Sequence, residues 1–190
     1  NINVLDLTAG AKFRAAGDIA TKNKKHGDRL NVIGIDLTAV ANIDSPAQRV
    51  RGDALNLPLR DNSIDMAYSR QGLVYITEAH PDKLKQSLGE VARVLRPGGV
   101  FFMESGVYPN YKPGDQRLTE VVPSETTMYS GTAGDFAGVF TRIMDRLEGL
   151  SYQTEFTMLV KGEPSEAVQT LVANGSINQL THNPSLEAVR

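Results

Sequence analysis

Val50-Arg51-Gly52-Asp53-Ala54-Leu55-Asn56-Leu57-Pro58-Leu59-Arg60-Asp61-Asn62-Ser63-Ile64-Asp65-Met66-Ala67-Tyr68-Ser69 decides the fold of this chain. It reads as two short buried strands, Val50 to Arg51 and Ile64 to Ser69, joined by a polar loop with acids at both strand ends. Arg60-Asp61-Asn62-Ser63 introduces the second strand, because Asp, Asn and Ser side chains bond nearby backbone and tolerate turn geometry. Upstream, Ile2 to Leu7 and Asn31 to Asp36 are apolar runs that end at or beside an acid, the pattern of strands covered on both faces of a parallel sheet. Ala11 to Thr21 has the alanine content and spaced apolar residues of a helix. Downstream, Leu84, Leu88, Val91, Ala92 and Leu95 recur at helical spacing after Pro81. Pro97-Gly98-Gly99 stops that helix, and Val100 to Glu104 follows as a strand. Repeated strand, helix, strand units predict an α/β chain with a doubly wound, mostly parallel sheet and helices on both faces.

The remaining segments extend this plan. Leu37 to Gln48 is short and contains Pro46, which leaves room for at most a short helix. Ser105 to Thr132 is polar, rich in Pro and Gly, and holds Tyr108, Tyr111, Met128 and Tyr129; a loop this long in a compact domain is usually functional or mobile. Phe136, Val139, Phe140, Ile143, Met144 and Leu147 form an apolar helical stripe ending at Gly149. Tyr152, Thr154, Phe156, Met158 and Val160 alternate as a half-buried strand, expected to be the antiparallel edge that closes the sheet. A helical tail follows from Ser165 to Ala173, with another helix from Pro184. The whole is expected to be one domain over 1–190: a core at 1–105, a long loop at 105–132, and a C-terminal helix, edge strand and helical tail at 133–190.

Composition narrows the function. With 41% hydrophobic and 22% charged residues and a formal charge of -2, nothing draws the chain to nucleic acid or an anionic membrane surface. The absence of cysteine removes disulfides, thiolate nucleophiles and Cys-based zinc sites, and suits a cytoplasmic protein. His26, His80 and His182 lie far apart without ligand spacing, so no metal is expected. No apolar run approaches the roughly 18 residues of a membrane span. The chain opens inside a strand, and any segment before Asn1 would bear on function.

In open α/β sheets a ligand lies across the carboxyl ends of the strands where strand order reverses, which here means Asp6 to Gly10, Asp36, Asp53 and Ser69. Together with Val94-Leu95-Arg96-Pro97-Gly98-Gly99, these pieces resemble, in order and spacing over residues 3 to 105, the Rossmann-like core of class I S-adenosylmethionine-dependent methyltransferases, in their small-molecule, type 11-like subgroup. The resemblance implies that Asp36 binds the cofactor ribose, where a carboxylate accepts from both hydroxyls. It implies that Asp53 takes the exocyclic amine of adenine, that the Ala54 amide serves a ring nitrogen, and that Leu37 and Leu55 sandwich the base. Asp6 matches the acid of the family's Asp-x-Gly-x-Gly-x-Gly motif. Here that motif is degenerate, Asp6-Leu7-Thr8-Ala9-Gly10-Ala11-Lys12, keeping the central glycine. Thr8 and Lys12 would then contact the methionine amino and carboxylate groups, or Lys12 would occupy their volume. Ser69 and Arg70 would flank the methionine end, with Gln71 and Tyr75 beside the acceptor. Taken singly, Asp36 or Asp53 reads as a loop acid capping a turn, whereas together, in this order, they favour the ligand reading. Asp65 reads as a structural acid away from the crevice.

The implied function is methyl transfer from S-adenosylmethionine, with S-adenosylhomocysteine as product, to oxygen, nitrogen or carbon of a small molecule. Such a reaction needs mainly orientation and desolvation, so no catalytic residue is assigned. Base methylation is disfavoured, because no Asn-Pro-Pro-Tyr or Asp-Pro-Pro-Tyr run occurs. The alternative is a pseudo-methyltransferase that keeps the fold as a binding or assembly module. It draws on the eroded glycine loop, the short link after Asp36 and the lack of helices before the first strand. A third reading is an NAD(P)-dependent oxidoreductase, for which Tyr108-Pro109-Asn110-Tyr111-Lys112 offers only a decoy, since Pro109 and Pro113 oppose the helix its Tyr-x-x-x-Lys spacing requires. A homodimer is expected as a way to complete the site.

Overall fold

The structure, a computed structural model, describes residues 2–10, 14–26, 30–38, 47–70, 72–73, 81–104, 120–136 and 153–180. In chain order its elements are β1 (Ile2–Leu7), α1 (Arg14–His26), β2 (Leu30–Asp36), β3 (Gln48–Arg51), β4 (Ile64–Ser69), α2 (Pro81–Val94), β5 (Leu95–Glu104), β6 (Thr126–Thr132), β7 (Glu155–Lys161), α3 (Glu166–Ala173) and β8 (Asn178–Gln179). They form one eight-stranded sheet ordered β3-β2-β1-β4-β5-β7-β6-β8. The first five positions are parallel, and β7, β6 and β8 join antiparallel. β1 lies between β2 and β4, so the chain runs outward from the centre in both directions and the strand order reverses there.

Period-two alternation divides the apolar residues between two faces. Val4, Val32, Met66, Tyr68, Phe102, Met158 and Val160 join Ala16 and Ile19 of α1 and Val168 of α3 in one core. Their neighbours Leu5, Leu7, Ile33, Ile35, Ala67, Phe101 and Met103 join Leu84, Leu88 and Val91 of α2 in the other. Helices thus cover both faces, as the apolar runs predicted. Phe102 anchors the first core, with its ring edge-on to Phe136 and Phe156 at 5.6 and 6.2 Å.

Four expectations change. β7 is not the edge and not half-buried: it lies between β5 and β6, with Phe156, Met158 and Val160 in one core and Leu159 in the other. The stretch expected as loop to Thr132 contains β6, in which Met128 and Tyr129 are core residues. Its threonines suit a strand, and Gly131 packs where a Cβ would lie 2.9 Å from Ile177 and 3.2 Å from the Phe136 ring. α2 stops at Val94, before Pro97-Gly98-Gly99, because Leu95 already pairs with Ile64 while the Arg93 and Val94 carbonyls accept from the Asn62 and Ser63 amides. The Pro-Gly-Gly run then forms a bulge inside β5, with Gly98 at φ 77°. α1 runs on to His26, beyond the Thr21 at which its composition suggested an end, while residues 11–13 lie outside the described residues. The tail helix stands where expected, as α3, with the Ser165 side chain capping the Val168 amide. The stripe after Phe136, the helix from Pro184, Lys12, Gln71, Tyr75, Tyr108 and Tyr111 lie outside the described residues.

Among the described residues, no helix is long and apolar enough to cross a membrane. Nor does any group of acids and histidines there form a candidate metal centre.

Candidate functional site

The carboxyl ends of β1, β2, β3 and β4 are tied into one rim by short hydrogen bonds. After β1, the Ala9 amide donates to the Ile35 carbonyl at 2.9 Å and the Gly10 amide to Asp36 Oδ2 at 2.8 Å. After β2, the Asp36 carbonyl accepts from the Gly52 amide at 3.0 Å, which places Asp53 beside it. On the other side the Thr8 and Ser69 hydroxyls meet at 3.0 Å, joining β1 to β4. Thr8, Gly10, Asp36, Asp53 and Ser69, singled out as separate strand ends in the sequence, therefore share one edge of the sheet. Arg70 follows Ser69 and pairs with Glu104, at the end of β5, at 3.6 Å. Glu104 and Thr38 were missed as site residues. The signal for Glu104 was available, since it is another acid at the carboxyl end of a parallel strand.

Thr8 takes φ 63° and Gly10 takes φ 71°. Left-handed backbone is cheap for glycine and costly for a β-branched residue, so Thr8 holds the shape of the family's first glycine at a cost of about 1 to 3 kcal/mol. Its hydroxyl bonds the Leu7 carbonyl as well as Ser69. Gly72 makes room for it, because a Cβ there would lie 1.8 Å from Thr8 Oγ1. The Thr8 side chain thus fills the gap between the β1 and β4 ends.

Asp36 serves as a turn cap. Oδ1 accepts from the Thr38 amide at 2.9 Å and the Thr38 hydroxyl at 2.6 Å, while Oδ2 accepts from Gly10. Burial works to raise its pKa, but these three hydrogen bonds outweigh it and hold the carboxyl below its ordinary value. With two acceptor positions per oxygen, the described bonds leave one, on Oδ2, for a ribose hydroxyl. A second opens if Thr38 swings away. Asp53 also turns on itself, Oδ1 accepting from the Leu55 amide at 2.9 Å and its carbonyl from the Asn56 amide at 3.0 Å. Its second carboxylate oxygen has no bond among the described residues. Ala54 is buried, while Leu37, meant to cover the base, is 56% exposed.

Asp6 lies beneath this rim, 3% exposed, and Oδ2 accepts from the Ala16 amide at 3.1 Å, fixing the start of α1. Burial pushes its pKa to about 7, against the opposing pull of the Tyr68 hydroxyl, the Ala16 amide and Arg70, while Asp36 adds to the rise. Tyr68 is buried beside it without a hydrogen bond of regular geometry, and burial followed by the Asp6 charge raises its pKa well above the usual value. Asp65 stands at the far end of its strand, bonded to the Asn3 amide and Arg96, as a structural acid should be.

An acid-rich rim with acceptors at the β2 and β3 ends fits the ribose and adenine of an adenosyl cofactor. At the β1–β4 gap, Thr8 stands where the family has no side chain.

Residues 14–103 match the family described as methyltransferase domain. The chain is 30% identical over 109 residues to sterol 24-C-methyltransferase erg6 of Schizosaccharomyces pombe, covering 57% of this chain and 26% of that protein. It is 30% identical over 130 residues to the ubiquinone/menaquinone biosynthesis C-methyltransferase UbiE of Dinoroseobacter shibae, covering 62% and 47%. The chain thus spans less than half the length of these relatives. Its fold matches a TehB-like SAM-dependent methyltransferase from Corynebacterium glutamicum with a TM-score of 0.56 at 17% identity, covering 85% of this chain and 80% of that one. These matches displace the nicotinamide-enzyme alternative. The family match runs from α1 into β5, leaving out β1 and its loop, and the fold is matched across the sheet; the chain carries a methyltransferase domain of the S-adenosylmethionine-dependent kind, whose cofactor is S-adenosylmethionine.

Proposed function

We propose that this chain binds S-adenosylmethionine along the rim from Asp53 to Ser69 and directs methyl transfer to a small molecule. The observation that carries the reading is the hydrogen-bonded tie of Gly10 to Asp36 and of Asp36 to Gly52, which holds the acids of β2 and β3 side by side where an adenosine needs acceptors. Asp36 would bind the ribose, Asp53 and the Ala54 amide the adenine, and Ser69 and Arg70 the methionine end. The bound cofactor supplies a methyl group already activated on a sulfonium. The chain's own work is then to orient and desolvate the reacting pair. Asp36, Asp53 and Glu104 set a negative field for that cation, with Arg70 neutralised in part by Glu104. Both relatives named above are C-methyltransferases, one of sterols and one in quinone biosynthesis, which makes a carbon acceptor on an apolar small molecule the first to try.

Thr8 favours a second reading. Its side chain fills the β1–β4 gap, and in a pseudo-methyltransferase nothing would need that gap. Calorimetric titration with S-adenosylmethionine and S-adenosylhomocysteine separates the two. Micromolar binding that Asp36→Ala weakens by roughly 1 to 3 kcal/mol, the cost of unpaired ribose hydroxyls, supports the enzyme. No binding at millimolar ligand, restored by Thr8→Gly, makes Thr8 a plug and the chain a binding module.

A further inference from the structure

The loop from Gly52 to Ser63 has little secondary structure, yet its backbone is hydrogen-bonded at Leu55, Leu57 and Leu59 to one polar stripe of α2. Gln86, Glu90 and Arg93 recur at i, i+4 and i+7, which aligns them on one face of the helix. Gln86 Nε2 donates to the Leu55 carbonyl at 3.0 Å. Glu90 Oε2 accepts from the Leu57 amide at 2.7 Å. Arg93 uses all five of its N–H groups: two on Glu90 at 2.8 and 2.7 Å, and one each on the Leu57 carbonyl at 2.9 Å, the Leu59 carbonyl at 2.8 Å and Asp61 Oδ1 at 2.6 Å. The hydrogen bonds from Arg93, ahead of the modest burial, hold the Glu90 carboxyl below its ordinary pKa, so the fork stays charged on both sides at neutral pH. Leu57 and Ala54 plug the loop into the α2 core. Pro58 packs over Gly52, where a Cβ would lie 3.0 Å from its ring.

A surface loop does not need this much polar reinforcement to connect two strands. What it carries is Asp53 and the Ala54 amide, whose directions follow from the Leu55 carbonyl and the Leu57 amide that the stripe fixes. We infer that Gln86, Glu90 and Arg93 are positioning residues for the adenine end of the cofactor site: they touch no ligand, and they preorganise the loop that does. A preformed loop spends less of its binding energy on ordering. The inference rests on the adenosine-binding reading above.

S-adenosylhomocysteine affinity, measured by calorimetry on the full chain, tests it. Arg93→Lys keeps the charge and loses the fork; Gln86→Ala removes only the Leu55 tie from a solvent-facing position, and keeps the question answerable should Arg93→Lys misfold. The expected losses are about tenfold for Arg93→Lys and about threefold for Gln86→Ala, with thermal unfolding still cooperative. In an Asp53→Ala background both losses should shrink to less than about twofold, whereas in an Asp36→Ala background they should persist, since coupling follows the shared loop. Unchanged affinity in both variants, or losses additive with Asp53→Ala, overturns the positioning role while leaving the cofactor reading intact. Failure of the unsubstituted chain to bind S-adenosylhomocysteine overturns both.

Discussion

Asp6→Asn should make the protein more stable relative to the parent as pH rises. The folded-state pKa of Asp6 is raised from 3.8 to about 7, so the native state holds this proton more tightly than the unfolded chain does. Stability drawn from the protonated form is complete below about pH 4 and is lost as pH climbs through 7. At about 1.4 kcal/mol per unit, the loss amounts to roughly 4 kcal/mol in full, of which about 3 kcal/mol falls between pH 5 and pH 8. Asparagine keeps the shape and an acceptor for the Ala16 amide at 3.1 Å, but does not titrate. The depressed carboxyls of Asp36 and Glu90 act in the opposite sense at lower pH, and they are common to both proteins, so they cancel in the difference. Urea unfolding at pH 5, 6, 7 and 8 reads that difference directly. The variant's stability minus the parent's should increase by about 3 kcal/mol across the series, on top of a constant offset from the new amide group. A difference flat to within about 0.5 kcal/mol would refute the argument, and would mean that water or a reorganised Tyr68 relieves the buried charge.

Gly72→Ala should cost about 1 to 3 kcal/mol, because its Cβ would lie 1.8 Å from Thr8 Oγ1; in a Thr8→Gly background the same change should be nearly neutral, and equal costs in both backgrounds in denaturant melts would contradict the packing described. Phe102→Ala removes the ring wedged against Phe136 and Phe156 and should destabilise by about 3 to 5 kcal/mol in the same assay; a loss under about 1 kcal/mol would argue that the first core does not depend on it.

The parallel half of the sheet was legible because its strands announce themselves twice. Ile2 to Leu7 and Ile64 to Ser69 are apolar without strict alternation, and each is followed by residues that favour a turn. The antiparallel half was harder to read. β7 showed only its stronger face, Phe156, Met158 and Val160, and Leu159 alone marks the second buried side. β6, Thr126–Thr132, reads as loop because five of its seven residues are polar or glycine. Its place between β7 and β8 buries Thr126, Thr127 and Ser130 despite that composition. Pairing partners far away in sequence decide such a strand, and no local window contains them.

At the site, residue types and order identified Asp6, Asp36, Asp53 and Ser69, and the fold brings their strand ends to one edge. What the order of residues could not carry is how each carboxylate is spent. Asp36 caps Thr38 and Gly10 before any ligand arrives, and Asp6 is a buried acid tied to α1. The cap takes three of the four acceptor positions of Asp36, so in the proposed ligand reading one ribose hydroxyl finds Oδ2 and a second must displace Thr38 from Oδ1. The same economy applies at Thr8. A glycine at that position leaves a gap, whereas this chain combines a left-handed backbone, φ 63°, with a side chain that occupies the space a Cβ on residue 72 would need. Thr8 and Gly72 are thus sterically coupled, since the threonine would collide with any larger residue at position 72. Whether the filled gap still admits a methionine tail is a question of one hydroxyl and one methyl group, and titration of Thr8→Gly against the parent answers it.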